Sequence, residues 1–169
     1  RIWFTSDTHY QHSNICRGTS NWPAESKTRD FDTLDKMNDT IVNNINHLVG
    51  EDDILFHLGD WSFGGFDNIQ EFRDRLVCKN IHLILGNHDQ HIDNDKGGVK
   101  ALFASVNHYV RLELTVPNVP NEINQAKTIK KTFVLCHYPI ASWRDMNRGV
   151  IQLHGHVHLG PHNKLHAGK

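Results

Sequence analysis

The residues that could do chemistry fall into five short groups. Asp7 and His9 stand two apart, Gly59 leads into Asp60, and Gly86 leads into Asn87, His88 and Asp89. His137 stands alone, and His154, Gly155, His156 and His158 close the set. The donors are carboxylate, imidazole and amide oxygen, with no thiolate among them, which suits manganese, iron, zinc or nickel better than a structural zinc finger. An isolated D-x-H is more often a solvated turn than a ligand pair. What raises these groups above that reading is their placement. Five apolar runs each hand over to a ligand-type residue, at Asp7, Asp60, Asn87, His137 and His156. In α/β sheets, sites collect at the carboxyl ends of strands. Two carboxylates and four histidines exceed what one tetrahedral ion uses. They suit two ions roughly 3.5–4 Å apart, bridged by one carboxylate. Such a pair lowers the pKa of a bridging water, makes hydroxide available near pH 7, and clamps the oxygens of an in-line displacement. That is chemistry for hydrolysing a phosphate ester.

The elements that must carry these residues can be read from periodicity. Ile2 to Ser6 is short, β-branched and aromatic, and reads as a strand. Tyr10 to Asp30 is polar, with Gly18 and Pro23, and reads as a long loop of the kind often used for function. His12, Asn14 and Arg17 lie in it, within reach of a ligand or on a surface excursion. Asp32 to Val49 has helical spacing, with Leu34, Met37, Ile41, Ile45 and Leu48 on one face, Asp32 as N-cap and Gly50 as the stop. His47 is expected to be exposed. Asp53 to Leu58 is a second strand and Asn80 to Leu85 a third. Between them Asp67 to Leu76 is a short helix with Ile69, Phe72 and Leu76 inward. At the end of the third strand Gly86 gives the backbone freedom to turn. His57 and His82 fall inside these strands and read as structural. Gly97 to Ala104 suggests a loosely begun helix. Tyr109 to Val116 and Lys131 to Cys136 are strands expected to pair antiparallel across the loop from Pro117 to Lys127. Tyr138 to Gly149 is irregular, Val150 to Leu153 is a further strand, and Leu159 to Lys169 shows no clear element.

Composition narrows the class. With 169 residues and 38% hydrophobic content the chain is expected to form one domain, residues 1–169. Mean hydropathy is −0.53, and no apolar run approaches the roughly 20 residues of a membrane helix. The opening residues read as a strand rather than a signal peptide. The missing initiator Met leads us to expect a few absent starting residues. Net charge is −1, so charge alone does not argue for nucleic-acid binding. Three cysteines without a CxxC give no disulfide framework, and a reducing, cytoplasmic setting is expected. The unusual count is 14 histidines, the commonest metal-ligating side chain.

The order of motifs resembles the calcineurin-like metallophosphoesterase superfamily: D-x-H at Asp7 and His9, G-D at Gly59 and Asp60, G-N-H-D at Gly86 to Asp89, His137, and G-H-x-H at His156 and His158. The segment Cys136-His137-Tyr138-Pro139, with Ser142-Trp143 and then His154 to His158, looks like the small bacterial and phage members. The resemblance implies an α/β fold of two stacked mixed β-sheets flanked by helices, with the metals at the sheet edge. It implies one metal on Asp7, His9 and His158, another on Asn87, His137 and His156, and Asp60 bridging the two. His88 would lie outside the ligand set, reaching a phosphoryl or leaving-group oxygen as an acid, and Asp89 would support His88 or its loop. The cofactors implied are two divalent ions, manganese first, with zinc, iron or nickel as alternatives.

Departures from the pattern are informative. Protein phosphatases of the superfamily carry a second Asp and an Arg just after the bridging Asp, whereas Trp61-Ser62-Phe63-Gly64-Gly65 follow Asp60. Leu85, not Arg, precedes Gly86. Family members usually add a strand after G-H-x-H, so a C-terminal piece is expected to be absent. His154 is an extra histidine, expected beside the ligands or in the strand. The function expected is dimetal hydrolysis of a phosphodiester or phosphomonoester by a metal-bridging hydroxide, with Asp60 and His88 in the catalytic machinery. The alternative is a non-catalytic metal- or protein-binding scaffold of the same fold. It is disfavoured because every expected position is filled. The loop from Tyr10 to Asp30, Phe63 to Phe66, and Tyr138 to Gly149 should wall the site. Trp22, Trp61, Phe66, Trp143, Arg144 and Arg148 are candidates for stacking on a base or holding a second phosphate. The open site would take a nucleotide, a small phosphodiester or a nucleic-acid end, and no membrane partner is expected.

Overall fold

Short runs of β-branched, Leu and Phe residues that are apolar on both faces are suited to parallel strands covered on both sides, and three such runs, with the short Ser105–Asn107 beside them, build the first sheet. β1 (Ile2–Thr5), β2 (Ile54–His57), β3 (Asn80–Ile84) and β4 (Ser105–Asn107) lie side by side in that order, every pair parallel. The structure is a computed structural model and describes residues 1–23, 29–117 and 127–158. The crossovers carry α1 (Leu34–Leu48) between β1 and β2 and α2 (Phe66–Arg75) between β2 and β3. Their apolar stripes close over one face of the sheet, where Val42, Leu55, Trp61, Ile69, Phe72, Ile81 and Leu83 form the larger core.

The second sheet has β5 (Tyr109–Pro117), β6 (Thr128–Cys136) and β7 (Ile151–Leu153). β5 and β6 pair antiparallel from Tyr109↔Cys136 to Pro117↔Thr128, as their alternation predicts, and β7 adds parallel to β6. The two sheets pack face to face. Phe56, Leu58, Ile84 and Leu135 are buried between them, with Phe4, Val110, Leu112, Phe133 and Leu153 around the edge. The Phe4 and Phe56 rings stack at 5.6 Å.

Several local expectations shift. The N-cap of α1 is Thr33, whose hydroxyl accepts from Lys36 N at 3.2 Å. Asp32 faces outward and pairs with Arg17 at 2.5 Å. The buried line of α1 runs through Met37, Asn38 and Val42, while Leu48 at its C-terminal end is 54% exposed. α2 begins at Phe66, one residue early. The loose helix near Gly97 is a 3-10 turn over Lys96–Leu102, with Gly97 and Gly98 left-handed inside it. The sequence pattern does not announce β4, the single turn α3 (Gln90–Asp93) that follows the G-N-H-D motif, or the short 3-10 turns Ser13–Ile15 and Met146–Arg148. β6 starts three residues before Lys131. The loop centred on 118–126 and the stretch 159–169 lie outside the described residues. All three cysteines are buried free thiols, and no described helix is long and apolar enough to cross a membrane.

Candidate metal centre

Five strands end at one edge of the two sheets, and the residue types gathered there are the ones the motifs contain. β1 delivers Asp7 and His9, β2 Asp60, β3 Asn87 and His88, β6 His137, and β7 His156 and His158. The turns are tight. Asp7, His9, Asp60 and His156 all have left-handed backbone, with φ of 53°, 47°, 57° and 69°. Asp and His tolerate that region better than most side chains, but only glycine enters it without cost. Such conformations persist only where the surroundings over-determine them, and they cluster at functional sites. Here the first two turns are tied to the third: Asp7 N donates to Gly59 O at 2.9 Å and His9 N to Asp60 O at 3.0 Å.

Donor atoms converge in two sets that share one carboxylate. Asp7, His9, Asp60 and His158 each place a ligand atom within 4.8 Å of the others, and so do Asp60, His137 and His156. Asp60 Oδ2 lies 3.5 Å from His9 Nε2 and 3.4 Å from His137 Nε2, so a single oxygen belongs to both sets. In the first set His158 Nε2 is 3.3 Å from Asp7 Oδ1 and 3.1 Å from His9 Nε2. In the second, Asn87 Oδ1 is 3.2 Å from His137 Nε2 and 2.9 Å from His156 Nδ1. Donors about 2.1 Å from one ion stand about 3.0 Å apart at a right angle and about 3.4 Å apart at the tetrahedral angle. Most of these spacings fall near those values, His9 Nε2 to Asp7 Oδ1 being wider at 3.9 Å, and the oxygen and nitrogen donors suit a divalent ion.

Protonation at His9, Asp7 and Asp60 suits this as well. Burial, with His158 and His88 nearby, lowers the His9 pKa to about 3 despite the carboxylate of Asp60. His9 is therefore neutral, with a lone pair to offer. Burial works to raise the Asp7 carboxyl, but bonds from His158 and Ser6 outweigh it and hold the group well below the ordinary carboxylate range. Burial likewise opposes ionisation of Asp60, and His137 and the His88 N–H reverse that. His137 Nδ1 donates to Leu58 O at 2.7 Å. In neutral His137 that bond leaves the Nε2 lone pair facing the site, a common arrangement behind metal-bound imidazoles. Burial works to lower the His137 pKa but its bonds to Asp60 and Leu58 raise it, so an ion bound there displaces a proton.

A buried carboxylate joins the two central turns. Asp89 is 1% exposed and accepts from Asp60 N at 2.8 Å, Trp61 N at 2.9 Å and Gly86 N at 2.8 Å. It supports the loops rather than the His88 ring. Burial pushes its carboxyl up while the three N–H groups act the other way. Gly86 has a reason other than the turning freedom expected of it. A Cβ there would overlap the Asp60 carboxylate and stand 2.6 Å from Asp60 N. Gly59 does need its freedom, with φ of +97°.

His88 sits at the lip of the site, exposed, its N–H bonded to Asp60 Oδ1 at 3.0 Å and its ring 5.2 Å from that of His9. Other candidates have different duties. Trp61 is fully buried against Phe72 and Phe103, in the core rather than the site wall. Trp143 donates to Val150 O at 2.9 Å, and Arg144 and Arg148 fold back onto Asp145 at 3.6 and 3.5 Å. Phe66 packs over Gly97. Arg17 is held by Asp30 and Asp32 within its own loop. His57 donates to Thr8 Oγ1 at 2.8 Å, because that hydroxyl spends its proton on Trp61 O at 2.7 Å. His82 bonds Ser105 at 2.8 Å, His47 is exposed, and His154 bonds the Gly155 carbonyl at 2.9 Å. His57 and His82 thus have the structural roles expected of them. His12 is buried and stacked on Phe63, with ring centroids 4.1 Å apart. Arg29 was not singled out from the sequence. It is a half-buried cation that donates to Asp7 O at 2.5 Å from a loop bridged to Cys16, and no local pattern announces it.

The model of the family described as calcineurin-like phosphoesterase matches residues 1–168. The chain belongs to this family. An uncharacterised protein of Methanocaldococcus jannaschii, MJ1445, is 33% identical over 92 residues, spanning 53% of this chain and 47% of that protein, less than half its length. The Gene 66 protein of Mycobacterium phage D29 is 28% identical over 174 residues, spanning 93% of this chain and 78% of that protein. The crystal structure of AQ665 from Aquifex aeolicus, a protein of unknown function, superposes with a TM-score of 0.60 at 22% identity. That match covers 95% of this chain and 81% of the other, and it shows the fold. A phosphoesterase family, two stacked sheets and Asp/His groups able to hold metal thus coincide in this member of the family.

Proposed function

We propose that this calcineurin-like phosphoesterase is a two-metal hydrolase of phosphate esters. Asp7, His9 and His158 hold one ion, Asn87, His137 and His156 hold the other, and Asp60 is shared. The observation that carries this reading is the single Asp60 oxygen lying about equally far from His9 and His137, each the centre of its own donor set. A bound pair supplies Lewis acidity toward the phosphoryl oxygens and a nucleophile from water at neutral pH. Manganese is the ion we favour among those that oxygen and imidazole donors accept, with zinc, iron and nickel as the alternatives.

The chain's own groups do the rest. Asp60 orients both halves of the site and, through Oδ1, holds the His88 backbone in place. The His88 ring has no hydrogen-bond partner among the described residues and stands at the lip. It donates a proton to the departing alkoxide, most usefully where the alcohol is a poor leaving group. The scaffold reading is disfavoured because neither His88 nor any ligand position has been lost. The reading is tested with metal-stripped protein, adding back manganese, zinc, nickel or magnesium, on bis-p-nitrophenyl phosphate and p-nitrophenyl phosphate. Metal-dependent release is expected, and the ratio of the two rates gives the diester or monoester preference. No release with any metal, despite two bound ions, would overturn it.

A further inference from the structure

Against His88 lies a cavity of about 350 Å³, lined by Phe63, Gly64, Asn87, His88, Gln90 and His91. It begins at a donor residue of the site and at the proposed acid, so an alcohol leaving past His88 enters it. Its walls have a definite character. Phe63 is 41% exposed, so its ring is open to solvent beside the site. It is also held firmly. Its ring lies parallel to His12 at an interplanar angle of 6°, its N–H donates to Tyr10 O at 2.7 Å, and its carbonyl accepts from Asn68 at 2.8 Å. A flat ring fixed on one face offers the other as a stacking platform, with little ordering cost left to meet on binding. Gln90 and His91, also in the lining, supply amide and imidazole groups. Neither side chain makes a hydrogen bond among the described residues. No lysine or arginine lines the space, so a second phosphate would find no counter-charge there.

We propose that this cavity is the leaving-group subsite and takes a neutral, flat, hydrogen-bonding ring of the nucleobase kind, stacked on Phe63 and read at its edge by Gln90 and His91. This rests on the two-metal reading for the direction in which the alcohol leaves. The substrate class that follows is a phosphoester whose departing alcohol is a nucleoside rather than a nucleotide.

The test is binding without turnover. Manganese-loaded protein is titrated with adenosine and, separately, with inorganic phosphate. Adenosine should bind, and Phe63→Ala should weaken it roughly 5- to 150-fold, the loss expected for one base-stacking ring. Phosphate affinity and manganese stoichiometry should stay as in the parent protein. Phe63→Leu, which keeps bulk without a flat face, should lose most of the adenosine affinity too and guards against misfolding of the alanine variant. Failure of the parent protein to bind adenosine, or adenosine binding that survives both substitutions, would overturn the subsite. Absence of metal-dependent ester hydrolysis in the parent protein would strike the two-metal reading instead, because adenosine binding is measured without catalysis.

Discussion

Replacing Asp89 by Asn probes the tie between the two central turns. The carboxylate accepts three backbone N–H groups at 2.8–2.9 Å: Oδ2 takes Asp60 and Gly86, and Oδ1 takes Trp61. The amide oxygen can serve the first pair, but the amide NH₂ then faces Trp61 N–H, donor against donor. Three bonds to a charged acceptor at ~2 kcal/mol each become two neutral ones at ~1 kcal/mol each, and relief from burying a charge returns ~1–2 kcal/mol. The net loss should be about 2–3 kcal/mol, a large share of a typical domain's stability of about 5–15 kcal/mol. With a urea m-value of about 2 kcal/mol/M, the unfolding midpoint of the metal-free variant should fall by about 1 M or slightly more. Manganese stoichiometry should drop as well, since Asp60 and Asn87 ride on the tied turns. A midpoint shift below about 0.3 M, with two ions still bound, would refute the reasoning.

Asp60→Asn should abolish paired metal occupancy and turnover by removing the shared charge; unchanged metal content and rate would count heavily against the site. His88→Ala should keep both metals and slow turnover by roughly 10²–10⁴-fold, most for poor leaving groups; equal slowing of good and poor leaving groups would exclude it as proton donor. Gly86→Ala should lose metal binding because the new methyl overlaps the Asp60 carboxylate, and retention of two ions would contradict the close approach. Burial lowers His57 to about 4 from 6.5. The unfolded chain therefore takes up this proton first as pH falls, so stability present above pH 6.5 is lost toward pH 4 and no further below it. His57 alone should cost the metal-free protein about 3 kcal/mol across that window, and His57→Gln should flatten the acid limb; an unaltered slope would show that His57 is already protonated in the fold.

Much of this was legible in the sequence because the ends of these strands are apolar and then stop at a polar residue. The runs before Asp7, Asp60, Asn87, His137 and His156 advertise themselves, and the sheets bring those five ends together. What escaped notice depends on direction or distance. Trp61 follows Asp60 directly, yet the next side chain in that turn points into the core. Thr33 and Asp32 are both good caps, and the ion pair with Arg17 draws Asp32 away. β4 and α3 are three and four residues long, too short for a period to show. The His12–Phe63 stack and the Arg29 bond to Asp7 join residues far apart in the chain, and no local spacing encodes them.

The left-handed turns at Asp7, His9, Asp60 and His156 have an evolutionary consequence. Each non-glycine residue there carries up to about 1–2 kcal/mol of backbone strain, which a chain selected only to stay folded has no reason to keep. In a library of variants screened for cellular abundance alone, glycine and asparagine should therefore rise at these four positions, while a screen for turnover should purge them. The same drift in a natural descendant would mark a lineage that has given up its chemistry but retained its shape.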